Sequence, residues 1–172
     1  MGGMIGQTVA ISHPERLASL ALVDTTPIYS NVQRIAWRER ADVVLRNGIA
    51  SVHEGLMRRW FTDEAIVSDN AGYRYMSDIV HRFSPRSFDA ITAAMCQLDT
   101  TKRLGGISAP TIVVAAPDDP GVPPEISEKL AQDIPNAELH WLTPARHLAT
   151  LEHVETFNRL LRAHLMTIAS AT

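Results

Sequence analysis

The chain contains three short apolar runs, and each is followed by residues that favour a turn. Residues 17–23 are almost all apolar, residues 111–116 lie between Pro110 and Pro117, and residues 138–142 form a shorter third run. Continuous apolar runs of this length are typical of parallel strands that are covered on both faces. The pattern therefore predicts three parallel strands, with residues 17–23 in a central position.

The segments that flank these runs have apolar residues at helical spacing. Residues 1–12 predict a helix that ends at His13-Pro14, with its glycines on a close-packed side and with Ile5 and Val9 on its packing face. Residues 124–133 predict a helix between the second and third strands. Apolar residues from 151 to 165 recur every three or four positions and predict one long amphipathic helix.

The segment between the first two strands is different in kind. Residues 28–102 show helical periodicity and no convincing strand, and Ser84-Pro85 is a typical helix start. The chain is therefore expected to divide into a partial α/β core of residues 1–27 and 103–172 and an all-helical insertion of residues 28–102. The first strand has no evident neighbour on its other side, so its open edge invites self-association.

Composition narrows the class of protein. Apolar residues make up 45% and charged residues 20%, which is typical of a folded globule. Sixteen Lys and Arg against nineteen Asp and Glu give a net charge of −3, which argues against nucleic acid as a partner. The apolar runs are far shorter than the roughly 20 residues that cross a bilayer. A single cysteine, Cys96, and the lack of a secretory leader favour a cytoplasmic protein.

Motifs for bound cofactors and metals are missing. The sequence has neither a phosphate-binding P-loop nor a strand-linked G-x-G-x-x-G. His53-Glu54 is followed by Met57 where a zinc motif needs a second histidine. We therefore expect no cofactor and no metal site.

An acid and a base stand at chemically useful places. Asp118 and Asp119 follow the second strand, and His147 follows the third. Ligands bind beyond the carboxyl ends of open α/β sheets, where neighbouring strands are about 5 Å apart. A carboxylate that orients an imidazole there would suit activation of a nucleophile. The alternative is ordinary turn chemistry for the aspartates and a solvated loop position for the histidine.

Motifs along the chain carry a resemblance to a known family. The first are MGGMIGQ at residues 1–7, HPERL at 13–17 and LALVDT at 20–25. In this order they resemble the segment that follows the nucleophile serine in α/β-hydrolases of the 3-oxoadipate enol-lactonase type. The resemblance continues in PTIVVA at 110–115 with the following Asp118-Asp119-Pro120, which resembles the family's acid loop.

Two further groups of residues extend the resemblance to the whole chain. His147-Leu148 with Leu151-Glu152 resembles the family's histidine loop, although Arg146 stands where the family often has glycine. Trp37 with Arg40, and RWFT at 59–62, resemble its helical cap. The implied fold is the carboxyl-terminal part of an α/β-hydrolase, about three parallel strands with flanking helices, carrying a helical cap insertion.

The resemblance also implies roles for individual residues. His147 would be the catalytic base and Asp119 its acid, with Asp118 and Asp24 as alternative acids. The serine would stand just before Met1, because no serine here lies in a G-x-S-x-G motif, and the amide of Met1 would belong to the oxyanion hole. We therefore expect this chain, without its nucleophile, to be inactive by itself.

The remaining expectations concern the substrate. Trp37, Arg40 and Trp60 would contact it, and the leading reaction is hydrolysis of a small carboxylic ester or lactone, above all 3-oxoadipate enol-lactone. Two alternatives stay open. One is a non-catalytic binding module of the same fold, and the other is a carboxylesterase or a hydrolase of carbon–carbon bonds.

Overall fold

A computed structural model describes residues 1–169 of the chain. The strands are β1 (Leu20–Val23), β2 (Thr111–Ala115) and β3 (Glu138–Trp141). The α-helices are α1 (Gly2–Ser12), α2 (Asn31–Asn47), α3 (Ala50–Trp60), α4 (Asp63–Val67), α5 (Ala71–His81), α6 (Pro85–Gln97), α7 (Pro124–Asp133), α8 (Ala149–Glu152) and α9 (Val154–Ala169). Short 3₁₀ helices cover Pro14–Arg16 and Thr101–Gly106. The last three residues of the core predicted to reach residue 172 lie outside the described residues.

The strands form a parallel sheet in the order β1-β2-β3, as predicted. All five side chains of β2 are buried, so β2 and not β1 is the central strand of the described sheet. The predicted central position of residues 17–23 is therefore wrong for the described chain, and the strand begins only at Leu20. Leu20 and Leu22 pack into a core cluster on one face of the sheet.

Helix α1 runs across β1, and its glycine side faces the strand. A Cβ atom at Gly3 would lie 2.6 Å from the side chain of Thr25, and one at Gly6 would lie 3.2 Å from Leu20. The face of α1 that carries Gly3, Gly6 and Gln7 therefore points inwards, and Gln7 is buried on it. The predicted packing face was wrong, since Ile5 is 52% exposed.

Residues 31–97 form the five helices α2 to α6, which enclose an apolar cluster of their own. The predicted helix start is confirmed, because α6 begins at Pro85 and Ser84 Oγ accepts a hydrogen bond from Ser87 N. Ser30 and Thr62 cap α2 and α4 in the same manner. The division of the chain at residues 28 and 102 stays a prediction.

The carboxyl-terminal region differs from the single long helix predicted from residue 151. It is broken at His153 into the short α8 and the longer α9, and the ring of His153 hydrogen-bonds to the carbonyl of Pro144 at 2.8 Å. The break lets α8 lie directly behind the loop after β3, while Phe157 and Leu160 of α9 pack on the sheet. None of the helices described within residues 1–169 combines the length and the apolar character needed to span a bilayer.

Candidate active site

The loop after β2 presents a buried carboxylate. Asp119 follows a turn in which its own N–H donates to the carbonyl of Ala116 at 3.2 Å. Its side chain has no solvent exposure. Oδ1 accepts a hydrogen bond from Gly121 N at 2.6 Å, and Oδ2 lies 2.7 Å from Nδ1 of His147. Both oxygens of this carboxylate are therefore held in fixed directions.

His147 lies on the loop after β3, and its side chain is 30% exposed. With the Asp119 carboxylate as acceptor, Nδ1 carries the proton and Nε2 is the basic nitrogen. Within residues 1–169, Nε2 makes no hydrogen bond. The arrangement is that of an oriented imidazole with one nitrogen free to accept a proton.

A largely apolar cavity of about 180 Å³ opens beside His147. Met1 forms part of its wall, and Trp37 and Trp60 contribute the aromatic surface. Residues 29–95 supply the rest of the lining, which is mostly aliphatic and aromatic: Tyr29, Ile49, Leu56, Met76, Ile79, Val80, Phe83, Phe88, Ile91, Thr92 and Met95. His147 also lines two further cavities, and no serine or cysteine of the described chain lines any of these three.

A narrower cavity adjoins the first one and is more polar. His147, Trp37 and Trp60 line both, while Arg59 and Gln33 line only the narrow one. Arg59 donates a hydrogen bond to the carbonyl of Pro120 at 2.9 Å, which fixes its guanidinium beside the acid loop. A cation thus stands at one side of a mainly apolar site.

The two alternative acids occupy different environments. Asp118 is exposed and, in the described chain, makes no hydrogen bond or ion pair with His147. The next residue, Asp119, turns inwards and makes this contact instead. Asp24 is 6% exposed, and its Oδ1 accepts a hydrogen bond from Ala116 N at 2.9 Å. Desolvation raises the pKa of Asp24 to about 7, although His147 lowers it in part.

Arg40 does not line the cavities as expected. Its guanidinium lies 4.6 Å from the ring centre of Trp37, stacked on the indole. Burial, together with the nearby charge of Arg59, lowers the pKa of Arg40. Arg59, and not Arg40, lines the narrow cavity, and a contact between Arg40 and the substrate stays a prediction.

The family is decided by comparison with known proteins. Residues 1–154 match the family model described as the alpha/beta hydrolase fold. The chain belongs to the α/β-hydrolase family. It is 28% identical to 3-oxoadipate enol-lactonase 2 of Acinetobacter baylyi over 95% of this chain and 60% of that protein.

Two further comparisons extend this result. The chain is 26% identical to a protein of Serratia proteamaculans named as a candidate carbamate hydrolase, RutD, covering 99% of this chain and 65% of that one. The crystal structure of the enol-lactonase from Burkholderia xenovorans LB400 superposes with a TM-score of 0.90 and 23% identity, over 96% of this chain and 63% of that one. The chain thus spans between 60% and 65% of the length of these relatives.

Sequence reasoning on this α/β-hydrolase missed part of the site. Tyr29 and Gln33 line the narrow cavity, and neither carries a motif that marks it in advance. Arg59 was not missed, because it precedes Trp60 in the segment that resembles the cap. Among residues 1–169, no three His, Cys, Asp or Glu side chains are grouped closely enough to hold a metal ion.

Proposed function

We propose that this α/β-hydrolase hydrolyses a small carboxylic ester or lactone by a serine mechanism, with 3-oxoadipate enol-lactone as the leading substrate. The observation that carries the proposal is the 2.7 Å contact between Asp119 Oδ2 and His147 Nδ1, with His147 and Met1 lining the same cavity. The relatives named as an enol-lactonase and a carbamate hydrolase support hydrolysis at a carbonyl group.

The roles follow from this geometry. A serine hydroxyl at the position before Met1 attacks the carbonyl carbon while His147 Nε2 takes its proton, and Asp119 stabilises the resulting imidazolium. The imidazolium then gives this proton to the departing alkoxide oxygen. Water attacks the acyl-serine in the second step, with His147 again as the base. The amide of Met1, at the start of α1, serves as one donor to the oxyanion because helix amino termini present free N–H groups.

The cavity favours a particular kind of substrate. Its apolar wall, with Trp37 and Trp60, suits the carbon skeleton of a small acyl group or lactone ring. Arg59 at the narrow side suits a carboxylate on the same molecule. Arg40 contributes from behind Trp37 by stiffening the wall.

The test uses a protein that includes the residue encoded directly before Met1. We expect that residue to be serine and the protein to open the enol-lactone. Replacing His147 by Ala should lower kcat by up to about 10⁶-fold, the scale seen when a serine hydrolase loses its base. A different residue before Met1 in a protein without activity would favour a binding module, whereas full activity in the His147→Ala variant would refute His147 as the catalytic base.

The substrate is tested separately from the mechanism. The same protein is assayed with the enol-lactone, an aryl ester and a carbamate, and kcat/KM is compared. The lactone should be preferred, whereas equal or higher values for the ester would retire the lactonase assignment and keep the mechanism. His53→Ala is a control, since this histidine lies between helices α3 and α5 and is outside the cavities beside His147.

Two wider expectations belong to the same proposal. We expect the reaction to take place in the cytoplasm, on the sequence evidence given above. We also expect the chain expressed alone to associate through the edge of β1 that carries no strand in the described sheet. Light scattering of the purified chain measures this association, and a strictly monomeric chain would contradict it.

A further inference from the structure

The histidine loop lies against the carboxyl end of helix α3. The last carbonyl groups of any α-helix have no partner within the helix and must bond elsewhere. The guanidinium of Arg146 donates hydrogen bonds to the carbonyls of Arg58 at 2.6 Å and Phe61 at 3.0 Å. Leu148 N donates to the carbonyl of Trp60 at 3.0 Å. The residues on both sides of His147 therefore complete the end of α3.

Glu152 joins the same two segments through its carboxylate. Oε1 accepts hydrogen bonds from Thr62 N at 3.0 Å and Thr62 Oγ1 at 2.5 Å. Oε2 accepts from Arg146 N at 3.0 Å. Each oxygen receives a backbone N–H, so a carboxylate accepts the whole set, whereas an amide of the same shape would set its NH₂ group against one of these N–H donors.

We propose that these contacts position His147. The clasp, defined as Arg146, Leu148 and Glu152 with residues 58–62, ties the base to the segment that also supplies Arg59 and Trp60 to the cavity. The base and one wall of the cavity then move as a unit, and the direction of Nδ1 towards Asp119 is set by the ends of the loop. The clasp acts through His147 and touches no substrate, so its residues are positioning residues.

The choice of Arg146 next to His147 has a physical reason in this arrangement. A glycine there would remove the donor to both carbonyls: that of Arg58, at an exposed contact, would bond to water, and only the part-buried carbonyl of Phe61 would lose a partner within the protein. Arg146 supplies both hydrogen bonds and also lies 3.3 Å from Asp63 Oδ1, at the start of α4. A positive charge at a helix carboxyl end is favourable in itself.

Glu152→Gln is the sharpest perturbation. The amide keeps the shape of the side chain but places an NH₂ group against N–H or O–H donors, so either the Thr62 side or the Arg146 side of the clasp opens. Glu54→Gln is the matched control, because it also removes one carboxylate and Glu54 pairs with the exposed side chain of Arg58 on the same helix.

The measurement is NMR of the chain itself, which needs no nucleophile. We expect the downfield Nδ1–H resonance of His147 in the wild type and in Glu54→Gln, and its loss or broadening in Glu152→Gln. Amide exchange of Arg146 and Leu148 should become about tenfold faster, as expected when local opening becomes easier by one hydrogen bond. An unchanged resonance with unchanged exchange would overturn the proposal.

A second pair of variants covers the case in which Glu152→Gln does not fold. Thr62→Ser keeps the hydroxyl that donates to Glu152, and Thr62→Val removes it at similar volume. The serine variant should give the same Nδ1–H resonance of His147 as the wild type, while the valine variant should weaken this resonance. If both variants give the wild-type spectrum, the clasp does not position the base.

The effect on catalysis depends on the function proposed above. In the protein that carries the nucleophile, Glu152→Gln should lower kcat about tenfold or more while KM stays within about twofold, because the cavity wall is retained. A protein without hydrolase activity would refute the proposed function and leave the NMR result on the clasp intact. A rise in KM at constant kcat would refute the clasp as a positioning device.

Discussion

The buried carboxyl of Asp24 makes a quantitative prediction for stability against pH. Its Oδ1 accepts a hydrogen bond from Ala116 N, whereas Oδ2 is buried and has no hydrogen-bond partner within the described chain. Desolvation raises the pKa of Asp24 from 3.8 to about 7; the charge of His147 opposes this, and that of Asp119 adds to it. The folded protein therefore keeps a proton that the unfolded chain releases.

The sign and size follow from linkage. Between pH 4 and pH 7 the folded state binds the proton and the unfolded state does not, so the free energy of unfolding decreases as pH rises. The contribution of Asp24 is neutral below about pH 4 and becomes fully unfavourable above about pH 7. A pKa raised by about three units corresponds to an upper bound of about 4 kcal/mol.

Asp24→Asn removes this cost with little change in structure. Asn keeps the acceptor at Oδ1 and tolerates the backbone φ of +41° found at this position. Urea unfolding of both proteins is measured from pH 4.5 to 8.5. The two should be similar at the acid end, and the variant should become more stable with rising pH, by up to about 4 kcal/mol above pH 7.

An exposed aspartate at the same end of the sheet provides the control. Asp118→Asn removes an exposed carboxylate from the same end of the sheet and should give a profile parallel to that of the wild type. Groups that do not interact with Asp24 titrate alike in the variant and the wild type and cancel in the difference, so the remaining difference reports Asp24 together with its coupling to His147 and Asp119. If the Asp24→Asn curve also runs parallel to the wild type, Asp24 is ionised in the folded state and the desolvation argument is wrong.

Three further predictions concern packing and the site. Gly3→Ala should lower the free energy of unfolding by about 1–3 kcal/mol, because its Cβ would lie 2.6 Å from Thr25, whereas Gly2→Ala has free space and should not; urea unfolding measures both. Asp119→Asn should lower kcat by about 10⁴-fold, the scale known from serine proteases that lose this orienting carboxylate, and a smaller effect than tenfold would refute its role. Arg59→Met should raise KM for a carboxylate-bearing substrate about tenfold and leave a neutral aryl ester unaffected, so an equal rise for both would contradict a carboxylate contact.

The sheet and the acid–base pair could be predicted because both depend on local rules. Residues 111–116 are apolar on both faces, which predicts a buried parallel strand, and β2 is that strand to within one residue. Side chains that follow neighbouring parallel strands emerge at the same edge. Asp119 and His147 were therefore expected to approach each other, and their side chains do so at 2.7 Å.

The packing faces of the helices were harder to predict, because apolar character does not by itself give direction. In α1 the large apolar Ile5 points outwards, since the glycine row has to face β1 for the helix to come close. Gln7 is buried instead, where its Oε1 accepts a hydrogen bond from Thr100 Oγ1 at 2.6 Å. A polar side chain with a distant partner leaves no periodic signal in the sequence.

The contacts around His147 lie beyond sequence reasoning for a related reason. Arg146 bonds to two backbone carbonyls some 85 residues earlier in the chain, and every residue has a carbonyl group, so residue type alone cannot identify these partners. What the sequence shows is only that an arginine precedes His147, at a place where the resemblance led us to expect glycine. In the structure the carboxyl end of α3 lies next to this arginine, whose guanidinium donates to two of its carbonyls. Arg146 therefore links the histidine loop to the end of α3 through contacts that only the folded chain reveals.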